Sequence, residues 1–237
     1  MIPNSENKRV WFITGASKGL GYAFTCAALK AGDKVVAVAR TIDNLAKLEA
    51  TYQERLMPLN LDVKERSLWV CQAVMPDLRS QRSGHIIQIT SIGAIISGPM
   101  SGIYSASKFA LEGMSEALAK EAEHFGVKLT MVEPGGYWTD LYTSMSYSNP
   151  LDSYGTLRDE LAKQYSEDSV DSDPSLAAEA LMKLVASNNP PLRLILGSMV
   201  YDLAMDTLKA RMATWEEWEA VSRASEKAIP APERYGV

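Results

Sequence analysis

Val10-Trp11-Phe12-Ile13 passes directly into Thr14-Gly15-Ala16-Ser17-Lys18-Gly19-Leu20-Gly21. No other feature narrows the choice of folds as much. A short apolar run ended by glycine reads as a buried strand. Gly19 to Ala31 reads as the helix that follows, closed by Gly32. The N-terminus of such a helix offers unpaired N–H groups and the positive end of its dipole. Glycines let the backbone approach an anion and take positive φ. Gly15, Ser17, Lys18, Gly19, Leu20 and Gly21 are therefore candidate ligands of a dinucleotide pyrophosphate.

The same alternation continues along the chain. Strands are expected at 34–39, 56–61, 85–90, 127–132 and 193–196. Helices are expected at 42–51, 68–79, 102–125 and from 174, with a last one from 199 to about 225. Short apolar strands alternating with helices indicate an α/β protein, a parallel sheet covered on both faces. Residues 142–173 differ: they are polar, carry Tyr147, Tyr154 and Tyr165, and read as a loop with a short helix near 157–164. Long loops in compact domains are often lids. Asp173-Pro174 then reads as an N-cap followed by proline at the first helical position.

At 237 residues, one domain over 1–237 is expected. The 24 basic and 29 acidic residues leave a formal charge of −5, which argues against a nucleic-acid partner. No apolar stretch approaches the ~18 residues needed to span a bilayer, and the first seven residues form no signal core. Two cysteines, Cys26 and Cys71, fit a reduced cytoplasmic setting rather than a disulfide framework. They read as buried apolar thiols. His85 and His124 read as surface or capping residues, and no metal site is expected.

Sites for NAD place an acidic residue at the end of the second strand, against the ribose hydroxyl. Ala39 holds that place here and Arg40 follows it. With Lys18 in the turn, two cations and no carboxylate suit a 2′-phosphate, so NADP(H) is expected over NAD(H).

Tyr104 and Lys108 are four residues apart on a helix, hence on one face. Ser91 ends the strand before that helix. Reducing a carbonyl takes hydride to carbon and a proton to oxygen. A phenol can donate that proton, and a neighbouring ammonium favours the phenolate. Ser91, at a C-terminal strand edge, is placed to hydrogen-bond the carbonyl oxygen. Tyr137, Trp138, Tyr142 and Met145 either line a pocket for an apolar substrate or are ordinary packing.

These residues resemble the short-chain dehydrogenase/reductase family. The likeness rests on Thr14-Gly-x-x-x-Gly-x-Gly21, Asp62, Ile89-Thr90-Ser91, Tyr104-x-x-x-Lys108 and Pro134-Gly135 in this order. It implies a Rossmann-like, doubly wound, three-layer α/β/α fold and an NAD(P)-dependent oxidoreductase of alcohols and carbonyls. It implies Tyr104 as acid/base, Ser91 as substrate-orienting, and Lys108 on the nicotinamide ribose. It further implies Asp62 near the adenine, with Pro134, Gly135 and Thr139 on the nicotinamide side. Homodimers or homotetramers are usual for such proteins.

One part of that pattern is missing. The family carries an Asn-Asn-Ala-Gly segment ending a fourth strand and a catalytic-site asparagine on the next helix, and neither occurs here. From Asp62 to Ser91 there are 29 residue steps, whereas one βαβ unit takes ~30 residues. One central strand fewer is expected. Closing the sheet across that gap would shift the serine edge by ~4.8 Å relative to the glycine turn. Two readings follow: a reductase of a small-molecule carbonyl, and a nucleotide-binding protein of the same fold with impaired turnover.

Overall fold

The computed structural model describes residues 8–63, 67–141, 145, 148–168 and 171–227, without the side chains of 67, 68 and 164–168. Among these residues, six strands alternate with helices: β1 (Val10–Thr14), α1 (Gly19–Lys30), β2 (Lys34–Ala39), α2 (Ala46–Tyr52), β3 (Leu56–Asn60) and α3 (Ser67–Gln81). After them come β4 (Gly84–Ile89), α4 (Gly102–Glu123), β5 (Val127–Pro134), α5 (Gly155–Asp168), α6 (Pro174–Ala186) and β6 (Arg193–Leu196). α7 (Ser198–Glu217) and α8 (Glu219–Ala224) complete the order. The final helix expected from 199 is thus two helices, which part at Trp218, where ψ is 10°. α5 is longer than the helix expected at 157–164. Asp173 caps α6 as expected, accepting the Ser175 N–H at 2.8 Å, with Pro174 at the first helical position.

All strand pairs are parallel. β1 pairs with β2 (Val10↔Lys34 to Thr14↔Val38), and β2 with β3. β4 pairs with β5 (Gly84↔Val127 to Ile89↔Val132), and β5 with β6. Among the described residues these make two three-stranded sheets, β3-β2-β1 and β4-β5-β6, with no ladder between β1 and β4. Closure of the sheet across the gap, one outcome the short connection allowed, does not occur among the described residues: the two half-sheets stay apart.

The packing explains why. Alternate residues of a strand face opposite layers. On one face, Ile13, Val35 and Ala37 of the first half-sheet and Val132 and Leu196 of the second share one core with α1 (Phe24, Ala28, Leu29) and α6 (Ala177, Leu181, Leu184). These two helices span both halves and hold them in place. On the other face, Cys71 of α3 and Ala122 of α4 pack on Ile86, Leu129 and Met131, all from β4 and β5. That layer does not extend over β1, whose Val10 and Phe12 are 74% and 46% exposed. No helix among the described residues is long and apolar enough to cross a membrane.

Candidate active site

The glycine turn lies where β1 ends. Gly15 (φ +66°) and Gly19 (φ +52°) hold backbone conformations that favour glycine, and a Cβ on Gly15 would point into open space. A Cβ on Gly21 would collide with the Gly15 carbonyl, so the turn can be this tight only without one. Lys18 caps α1 without a side-chain hydrogen bond, and the first turn of α1 holds no acidic residue. The helix N-terminus thus keeps its donors and its positive end for an anion. Ser17, Lys18, Gly19, Asn44 and Lys47 line a cleft of about 460 Å³ together with two carboxylates, Asp43 and Asp140. This cradle fits a pyrophosphate. Lys47 was missed in the sequence; its only signal is a cation seven residues past Arg40. Arg40 itself is exposed past β2 and does not line the cleft.

The loop after β5 returns to this turn. A Cβ on Gly19 would lie 3.2 Å from the Thr139 side chain. Gly135 donates its N–H to the Leu196 carbonyl at 3.0 Å, which ties Pro134-Gly135 to β6. Asp62 is exposed just past β3. Tyr137 is a buried member of the core rather than a pocket wall, Trp138 is 68% exposed, and Met145 is exposed. Tyr142 and Tyr147 lie outside the described residues.

Ser91 follows β4, buried, its Oγ accepting the Gly93 N–H at 3.0 Å. Tyr104 and Lys108 stand one turn apart on α4, with Nζ 5.8 Å from the phenol ring centroid. Gly93 brings the set together: a Cβ there would lie 2.8 Å from Tyr104 Cε1 and 3.4 Å from Ser91 Oγ. The phenol ring and the serine hydroxyl therefore both border one glycine, and Tyr104 is half-exposed. Burial pushes the Lys108 ammonium below its ordinary range. Lys108 also borders one cavity with Thr14 and Gly21, which links this set to the glycine turn.

Behind the site is a charged group that sequence reasoning missed. Thr90, beside Ser91, donates to Glu112 Oε1 at 2.9 Å. Arg193 reaches Glu112 at 3.1 Å and Glu116 at 2.8 Å. Glu133 of β5 is fully buried, 3.6 Å from Arg193 Nε but without a hydrogen bond to it. Burial, and then the Glu112 charge, push its carboxyl up to about 8. The signal available was a glutamate among the apolar residues at the end of β5, and another one turn beyond Lys108. His85 is half-buried in β4 rather than on the surface. Its Nε2 lies 3.0 Å from Thr130 Oγ1, and burial lowers it to about 4. His124 is exposed at the α4 C-cap, as expected. Cys71 is buried and Cys26 only partly so.

The sequence profile described as short chain dehydrogenase matches residues 9–69 and 66–149. Oxidoreductase BOA17 of Botryotinia fuckeliana (strain B05.10) is 32% identical, across 92% of this chain and 99% of its own length. The 3-ketodihydrosphingosine reductase of Bacteroides thetaiotaomicron is 35% identical over 62% of this chain and 54% of that protein. A short-chain dehydrogenase structure from Streptomyces avermitilis superposes with a TM-score of 0.82 at 30% identity, covering 94% of this chain and 100% of that one. The chain belongs to the short-chain dehydrogenase family. It is an oxidoreductase of the NAD(P)-dependent dehydrogenase/reductase class.

Proposed function

We propose that the protein interconverts a carbonyl and an alcohol with NADP(H) in preference to NAD(H). The observation that carries this reading is the convergence of Tyr104 and Ser91 on Gly93, with Lys108 one turn away. When bound at the glycine turn, the cofactor supplies or accepts the hydride. Ser91 Oγ holds the carbonyl oxygen and Tyr104 Oη delivers its proton. Lys108 stands beside the phenol and toward the glycine turn, where it can hold the ribose. Gly15, Ser17, Gly19, Leu20 and Gly21 cradle the pyrophosphate. Lys18, now joined by Lys47, supports the 2′-phosphate preference, with Arg40 at the rim. Asp62 serves the adenine end, and Pro134, Gly135 and Thr139 the nicotinamide end.

Residues 1–237 act as one cofactor-binding domain, with 142–173 as a substrate lid. Its base is tied by the Trp138 N–H to the Ser172 carbonyl (3.0 Å) and the Ser172 N–H to the Gly136 carbonyl (3.1 Å). The name of the Bacteroides relative, a 3-keto reductase, supports a ketone substrate. A cytoplasmic homodimer or homotetramer goes with this reading.

The open β1 and β4 edges favour a second reading, a nucleotide-binding protein with little turnover. Oxidation of NADPH and NADH against a panel of ketones and aldehydes decides between them. The reductase reading expects turnover faster with NADPH and a fall of about 10²–10⁴-fold in Tyr104→Phe. Equal rates in the two proteins reject the mechanism. Calorimetric binding of NADPH without turnover on any carbonyl selects the second reading.

A further inference from the structure

Ser91 follows β4, and the residue before it is held from the opposite side. In extended backbone, neighbouring side chains point to opposite faces. Ser91 continues the extended backbone of the strand (φ −177°, ψ 158°), so its hydroxyl and that of Thr90 turn away from each other. The β4–β5 ladder ends at Ile89↔Val132. Thr90, one step beyond, is buried and gives its N–H to the Val132 carbonyl at 2.7 Å. Its hydroxyl has one proton and two acceptors in reach, that same carbonyl at 3.0 Å and Glu112 Oε1 at 2.9 Å. A carboxylate accepts more strongly than a carbonyl that already has a donor, so the proton goes to Glu112.

Glu112 lies on α4, two turns beyond Tyr104 and one beyond Lys108. Side chains at this repeat share one face of a helix. The bond from Thr90 therefore joins the strand end that carries Ser91 to the helix face that carries the phenol and the ammonium. The carboxylate is itself held from its other oxygen. Arg193 of β6 donates to Glu112 Oε2 at 3.1 Å and to Glu116 Oε2, one turn on, at 2.8 Å. Glu112 is buried, and apolar side chains would hold a strand against a helix there at no greater cost than an ion pair. What apolar contacts lack is direction and a fixed length. An O–H···O bond keeps donor and acceptor at ~2.5–3.0 Å, and reacting groups must be held to within ~0.5 Å.

We propose that Glu112 is a positioning residue: through Thr90 it fixes Ser91 Oγ relative to Tyr104 and Lys108. The inference rests on the carbonyl–alcohol chemistry proposed above, but its first test needs no turnover. The Gly93 N–H donates to Ser91 Oγ and so reports how firmly that hydroxyl is held. Thr90→Val keeps the shape of the side chain and removes the donor. In this variant hydrogen exchange at the Gly93 amide, read by NMR, should speed about tenfold, while the Leu129 and Met131 amides of β5 keep the parent's rates. A general loss of stability would speed all three. Thr90→Ser, which restores the hydroxyl, should return Gly93 to the parent's rate. With a carbonyl that the parent reduces, kcat of Thr90→Val should fall about 10- to 100-fold with NADPH binding unchanged, and Thr90→Ser should recover it. The double variant Thr90→Val/Glu112→Met should lose no more than Glu112→Met alone, because both changes break one bond. Should Glu112→Met not fold, the valine and serine variants still decide. The proposal falls if Gly93 exchanges equally in Thr90→Val and the parent, if the β5 amides speed with it, or if the losses add. A parent that reduces no carbonyl overturns the proposed function instead, and exchange at Gly93 still decides the role of the Thr90–Glu112 bond.

Discussion

Ser91, Gly93 and Tyr104 show how one missing methyl can arrange a site. Gly93 needs no unusual backbone; its role is the space above its Cα, which the phenol ring takes. In Gly93→Ala the ring must move, and it can, because Tyr104 is half-exposed. Displacements near 1 Å in such sites cost about 10²-fold in rate. We expect kcat to fall by about that factor while the melting temperature stays within about 2 °C, measured by steady-state kinetics and calorimetry. Glu133 is the opposite case, a buried group that works against the fold. Its folded-state value of about 8 lies above the ordinary 4.5. The folded chain therefore holds this proton more tightly than the unfolded chain. The associated stability is complete below about 4.5 and is lost as pH rises through about 8. Glu133→Gln should remove that slope: its melting temperature should exceed that of the parent at pH 9 and match it near pH 5. Equal curves at both pH values would refute the assignment.

Among the elements, α6 shows best what helices do for the split sheet. Its Ala177, Ala178, Leu181 and Leu184 are buried, a stripe at the helical repeat. They meet α1 and, through the shared core, both half-sheets. Leu181→Ala should cost about 2–5 kcal/mol, read from urea unfolding. Because α6 spans both halves, β1 and β5 amides should lose protection together. A variant that unfolded one half alone would show that the halves are separate units. The strands were legible because each is a short, largely apolar run, closed by glycine or proline at β1, β5 and β6. The break at Trp218 was not, since apolar and charged residues continue across it. The length of α5 was hidden for a related reason: its sequence is mostly polar, and its few apolar residues lie inside it rather than at its ends.

At the scale of the molecule, the count of elements and the arrangement of the sheet are separate facts. The short run of 29 residue steps from Asp62 to Ser91 was visible by counting. Its result was not, because closing the gap and keeping it open satisfy the same local pattern. α1 and α6 decide between them: their side chains already fill the layer over both halves, so moving β4 against β1 would undo that packing. Hence Thr14 and Gly21 at the glycine turn and Lys108 of the site line a common cavity although, among the described residues, no ladder joins β1 and β4. By itself the sequence determined the strands and helices, the anion-ready turn and the serine, tyrosine and lysine of the site, since these depend on neighbours a few residues away. Only the tertiary structure decided the gap between β1 and β4, the half-burial of His85 and the approach of the Glu112 charge to the buried Glu133. Each of these depends on residues far apart in the chain, brought together by packing that no local pattern encodes.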